Sequence, residues 1–149
     1  MSPRERVQQL QAIEDIREVQ RLAAEIEALR GAREVEARLQ DQMERARQLE
    51  NAETGWRQSI AQGLLGDRTT AAWSHAVQQE IDRLAVAEKH VAAAHATNAK
   101  ARQGWEEASV RSRLAHQFTT AASRKFRLQQ EERRSAELVD QYLIRRDIP

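Results

Sequence analysis

The residues with the widest chemical repertoire in this chain are four histidines, His75, His90, His95 and His116, set among 23 Asp and Glu. A metal site or a general base needs several such groups converging on one point. His90 and His95 are five residues apart, which puts them on different faces of a helix, and no carboxylate cluster completes a ligand set around them. They are expected as surface or interhelix side chains. Gly63-Leu64-Leu65-Gly66 has two glycines, as a phosphate loop does. It lacks the Gly-Lys-Ser/Thr that follows in such a loop, and no strand leads into it. A turn is expected there. The chain has no cysteine, which excludes disulfides and thiolate chemistry. Its many Glu and Arg at helical spacing read as a solvated, salt-bridged face rather than acid–base pairs. No catalytic residue, cofactor or metal is expected, and the chain reads as non-enzymatic.

The elements that carry these residues follow from composition. The 149 residues are 32% charged and 4% aromatic, with a mean hydropathy of −0.78, a poor basis for a large compact core. Ala, Glu, Arg, Gln and Leu dominate, as they do in long helices and coiled coils. The two prolines, Pro3 and Pro149, are terminal, and there are five glycines, so little interrupts a helix. The expectation is all-α and elongated. The sequence MSPRERVQQLQAIED has charges throughout and no apolar h-region, unlike a secretory signal. No run of 18 apolar residues exists to span a membrane, so a cytoplasmic protein is expected.

From Val7 onward apolar residues recur every three or four positions: Val7, Leu10, Ile13, Ile16, Val19, Leu22, Ile26, Leu29, Ala32, Val35, Leu39, Met43, Ala46, Leu49, Ala52, Trp56, Ile60, Leu64. The mean step is below 3.6, so this stripe either drifts around the helix or follows a left-handed supercoil. Gly63 then offers the φ > 0 that favours glycine just past a helix end. Asp67, Thr69 and Thr70 are candidate N-caps for the next helix. A weaker, alanine-rich stripe resumes at Trp73, Val77, Ile81 and Leu84, passes Val91, Trp105 and Phe118, and sharpens at Leu138, Val139, Tyr142 and Leu143.

This pattern predicts one domain: helix 1 over about 3–62, a turn over about 63–67, and helix 2 over about 68–146. A short connection makes the helices antiparallel. Residue i then faces residue 129 − i, within a residue or two. That sets Trp56 against Trp73, Ala52 against Val77, Leu49 against Ile81, Leu39 against Val91 and Leu10 against Phe118. Helix 2 is about twenty residues the longer, so Arg127–Arg146 must overhang. The fold class expected is a long antiparallel two-helix coiled-coil hairpin with an overhanging C-terminal helix.

The overhang, RLQQEERRSAELVDQYLIRR, has an apolar face of Leu128, Leu138, Val139, Tyr142 and Leu143 with no intramolecular partner. Such a helix needs something to bury its stripe, which makes it the best candidate for a binding segment. Residues 111–149 carry nine Arg/Lys and five Asp/Glu, a net +4 against −3 for the rest. Arg124, Lys125, Arg127, Arg133 and Arg134 are interrupted by glutamates and form no nucleic-acid-binding module, so no nucleic-acid partner is expected.

Three stretches carry a family resemblance. Trp56-Arg57-Gln58-Ser59-Ile60 looks like a Tyr-Arg-x-x-Leu motif near the end of a first helix. Trp73 and Trp105 stand at aromatic positions of a second. Glu131-Glu132-Arg133-Arg134, followed by Glu137-Leu138-Val139-Asp140-Gln141-Tyr142-Leu143-Ile144-Arg145-Arg146, resembles a terminal "E-R … K-x-L-D-E-F/A-x-x-R" signature. In their order and spacing, across nearly the whole chain, these resemble the FliJ/YscO/HrpO (SctO) family, the central stalk proteins of flagellar and injectisome type III export machines. Ala76 and Gln141 depart from the family pattern.

The resemblance implies a stalk similar to the γ-subunit of rotary ATPases. Its N- and C-terminal ends would enter the pore of the hexameric secretion ATPase, with contact through Arg133, Arg134, Leu138, Asp140, Tyr142, Arg145 and Arg146. Its turn-proximal end would contact the cytoplasmic domain of the export gate through Trp73, Ala76, Val77, Glu80 and Arg83. Some relatives also bind secretion chaperones. The chain would then sit in the cytoplasm at the inner-membrane-associated export apparatus. A generic coiled-coil scaffold or adaptor that homodimerises through its exposed stripe is the alternative of a different class.

Overall fold

A computed structural model describes residues 1–63 and 66–148, and no strand occurs among them. Leu64, the last position of the expected stripe, and part of the expected turn lie outside the described residues. The first helix, α1, runs Pro3–Ala61 and the second, α2, runs Asp67–Arg146. They pack against each other as an all-α hairpin.

The start of α1 is set by a capping box. The Ser2 backbone N–H donates to Glu5 Oε2 at 2.7 Å and the Glu5 N–H donates to Ser2 Oγ at 3.2 Å, with Pro3 at the first helical position. Gly63 ends the helix with φ 76°, its N–H bonded to the Ile60 carbonyl at 3.0 Å. That is the left-handed conformation expected of a glycine past a helix end. At the start of α2 the expected side-chain caps are not the capping residue. The Gly66 carbonyl accepts from Thr70 N–H at 3.0 Å, so Gly66 caps, and Asp67 falls inside the first turn. There its charge complements the helix dipole instead.

The helix pair divides into two compact units. Unit 1 joins Met1–Ala24 to Gly104–Pro149. In it the half-buried positions of α1 include Val7, Leu10, Glu14, Arg17, Arg21 and Ala24, in strict steps of three and four. Those of α2 include Ala108, Ser112, Ala115, Thr119, Ala122, Phe126 and Gln129, in the same rhythm, with Ser112, Ala115 and Thr119 buried. This is a coiled-coil seam of period 3.5. The α2 side is made of small residues, so the longer α1 side chains, charged ones included, lie across it with their stems.

Unit 2, Glu25–Gln103, has the same period. Its α1 seam runs through Ala28, Gly31, Val35, Arg38, Gln42, Arg45, Leu49, Ala52, Trp56 and Ser59, and its α2 seam through Trp73, Val77, Glu80, Leu84, Ala87, Val91, Ala94, Asn98 and Ala101. Val35, Val77, Ala87 and Ala94 are its buried apolar side chains. Gly31 lets the helices close: a Cβ there would sit 3.0 Å from Asn98 Oδ1 and 3.2 Å from its Cα.

The expected offset holds in each unit. Glu14 pairs with His116 and Glu18 with Ser112 in unit 1, and Gly31 meets Asn98, Arg38 meets His90 and Gly55 meets Trp73 in unit 2. The two numbers of every pair add to between 128 and 130. Partner numbers fall as α1 numbers rise, so the pairing is antiparallel.

The expected apolar stripe follows this seam only in part, at Val7, Leu10, Val35, Leu49, Ala52 and Trp56. Ile13, Ile16, Val19 and Leu22 in unit 1, and Ile26, Leu29, Leu39 and Met43 in unit 2, are 39–66% exposed. At 100° per residue, each three-residue step turns back about 60°, so Val19 lies diametrically opposite Leu10. The stripe drifts. Ile81, Leu39 and Phe118, each a member of an expected apolar pair, are 42%, 39% and 63% exposed and lie off the seam, although Phe118 still borders one groove with Leu10.

Candidate functional site

The candidate site expected at the end of α2 is the most open part of unit 1. The last half-buried residue is Gln129, and every residue from Gln130 to Ile148 is exposed. The helix nevertheless continues to Arg146, with Arg145 and Arg146 in its last turn, where cations complement the carbonyl end of the dipole. Leu138, Val139, Tyr142, Leu143 and Ile144 are 65%, 57%, 68%, 48% and 64% exposed.

The seven residues assigned to ATPase contact fall on two faces of this helix. Leu138, Tyr142 and Arg145, with Arg134 and Arg146 at the margins, share one side at 100° per residue. Arg133 and Asp140, seven residues apart, lie on the opposite side, in line with the seam that ended at Gln129. The helix thus offers mixed apolar and charged groups around most of its circumference.

The five residues assigned to gate contact are brought together differently. Trp73, Ala76, Val77, Glu80 and Arg83 share one face of α2, and in unit 2 that face packs against α1. The Trp73 indole lies over Gly55, Val77 is buried, and Glu80 is half-buried with Oε1 accepting from Arg83 Nη1 at 2.7 Å. Trp73 and Val77 therefore serve the hairpin's own packing, and Arg83 is the exposed member. Trp56 is also half-buried, and with Ile60 and Val77 it borders a shallow groove.

A third feature was not anticipated from the sequence: a polar side of unit 1. Arg21 donates from Nε and Nη2 to the two carboxylate oxygens of Glu18, at 3.0 and 2.7 Å, and Ser112 Oγ donates to Glu18 Oε2 at 3.0 Å. These bonds, Arg21 first and Ser112 second, hold the Glu18 carboxyl down to about 2. Beside it His116 Nδ1 and Glu14 Oε1 are 2.6 Å apart, and that contact, above all, lowers the Glu14 pKa. The signal was available, since 129 − 14 and 129 − 18 point to the positions beside His116 and Ser112. Among the described residues no group of three His, Cys, Asp or Glu is placed to hold a metal, and no helix is long and apolar enough to cross a membrane.

Comparison with protein-family models, with curated proteins and with solved structures gives no match for this chain. The functional reading rests on its own residues.

Proposed function

We propose that this chain is a non-enzymatic stalk component of a type III export apparatus, with its C-terminal helix end held in the pore of a hexameric secretion ATPase. The observation that carries the reading is the end of α2. A helix that outlasts its partner, stays regular to Arg146 and exposes five large apolar residues among arginines is a binding segment awaiting a surface. Its contact-competent groups lie on opposite sides, which suits a pore that surrounds a helix better than a groove that grips one face. The terminal motif that resembles the FliJ/YscO/HrpO signature falls on this same segment.

The turn-proximal end would meet the export gate, with Arg83 the group most available to it, and secretion chaperones are further partners of this reading. The place of action would be the cytoplasmic side of the inner membrane, at the export apparatus. A pulldown against the secretion ATPase tests the proposal. Removing residues 128–149 should abolish capture and leave most of the helicity intact; undiminished capture would overturn the assignment.

A further inference from the structure

In unit 1, α2 carries a second apolar stripe that the seam does not use and that the stalk reading uses only at its end, at Val139 and Tyr142. Leu114, Phe118, Ala121, Leu128, Val139 and Tyr142 follow one another in steps of four and three once Lys125, Glu132 and Ser135 are counted in the series, and all are exposed. This is a coiled-coil repeat on a flank of α2 about 100° around the helix from the seam, running unbroken from the paired part of the helix into the overhang. Its two charged interruptions have opposite sign and stand nearly symmetrically about Leu128.

We infer that this stripe binds the same stripe of a second copy of the chain, with the two α2 helices antiparallel. In the register that sets Phe118 opposite Tyr142 of the second copy, Ala121 faces Val139 of that copy, and Lys125 comes within one turn of its Glu132. Twofold symmetry makes each contact twice. A parallel pairing would put Lys125 against Lys125 and Glu132 against Glu132 at core positions, which like-charge repulsion disfavours.

A groove on the same side supports the assignment. Val7, Leu10, Phe118 and Phe126 line a cavity of about 390 Å³ that Arg6 and Lys125 also border. The overhang of the second copy, passing over Phe118 and Ala121, brings Leu143 to this groove and carries Glu132 and Asp140 toward its basic edge. Each chain's unpartnered tail thereby covers the other's groove. The dimer takes up Tyr142 and Val139, so it and an ATPase-bound chain exclude one another, but the pairing itself does not depend on the ATPase reading.

Because the natural chain has no cysteine, single thiols report the geometry cleanly. Full-length Phe118→Cys and Tyr142→Cys proteins, mixed and mildly oxidised, should form a mixed disulfide dimer, whereas each alone should not cross-link. Both positions are exposed, so each thiol is accessible to the oxidant. In sedimentation of the otherwise unaltered chain, Lys125→Glu or Glu132→Lys should weaken the dimer about tenfold or more, and the two together should restore it. A chain that stays monomeric at ~100 μM, far above the ~1 μM scale of a modest specific complex, would overturn the inference. So would cross-linking of Phe118→Cys with itself, or a double variant no tighter than the singles.

Discussion

The indole of Trp73 on α2 lies directly over Gly55 on α1: a Cβ added to that glycine would come within 2.5 Å of Trp73 Cη2 and 2.9 Å of Cζ3. A ring edge pressed on backbone has no flexible end to swing aside. Gly55→Ala is therefore expected to destabilise, because overpacking costs about 1–3 kcal/mol while the better helix propensity of alanine returns only about 1. Gly104 is the control. It is helical and a Cβ there would meet nothing within 4 Å, so Gly104→Ala should stabilise by about 1 kcal/mol. Thermal unfolding should move the two midpoints in opposite directions, by about 2–4 °C per kcal/mol. A rise for both would remove the tight Trp73–Gly55 contact.

Acid should find the polar side of unit 1. The folded Glu18 carboxyl is held down to about 2 from an ordinary 4.5, so its contribution to stability is complete above 4.5 and is lost as pH falls through the folded value. Glu14 is shifted in the same direction. Wild type should exceed Glu18→Gln in urea midpoint at neutral pH, and that margin should shrink between pH 4.5 and about 2. The carboxyl is substantially exposed, so the margin is expected to be small and to weaken in salt. A margin independent of pH would show that Glu18 stabilises through something other than its charge.

Much of the hairpin was legible in the sequence for one reason: helix breakers are so scarce that the few glycines at 63 and 66 had to mark the reversal. Once the reversal was placed, antiparallel geometry fixed the offset that Glu14–His116 and Gly31–Asn98 obey, and with it the overhang. What was not legible was which side of α1 faces α2. Leu10, Ile13, Ile16 and Val19 read as one stripe because every step is three residues, but such a run winds backwards around the helix. The seam keeps a 3.5 period by accepting Glu14, Arg17 and Arg21, all half-buried, opposite the small buried residues Ser112, Ala115 and Thr119. Side-chain type alone hides this, since a buried stem and an exposed charge belong to the same residue. The Gly66 cap was missed similarly, because a backbone carbonyl leaves no mark in residue identity.

The proposed gate contact separates packing from recognition. Arg83→Glu alters a side chain that is 52% exposed and bonded only within one turn of α2, to Glu80. Because the Glu80 side chain is 15% exposed and loses its Arg83 partner, the change should cost about 1–3 kcal/mol of stability, and gate binding is compared at a temperature where the variant is fully folded. Binding to the cytoplasmic domain of the export gate should fall by about tenfold or more if Arg83 makes a charge-assisted contact there. Trp73→Ala would be uninformative for this purpose, since it loosens the hairpin itself. Unchanged gate binding by the folded Arg83→Glu chain would place that contact elsewhere.

The central claim is that the exposed end of α2 is held by a secretion ATPase, and the most direct measurement is the affinity of the purified hexamer for full-length chains that differ only there. Leu138→Glu combined with Tyr142→Glu leaves every seam residue in place and alters two side chains that are 65% and 68% exposed. Helicity and thermal midpoint should be nearly unchanged. Affinity for the hexamer should fall by about a hundredfold or more, as loss of two apolar anchors at a desolvated contact requires. Binding of the double variant as tight as that of the unaltered chain would contradict the account.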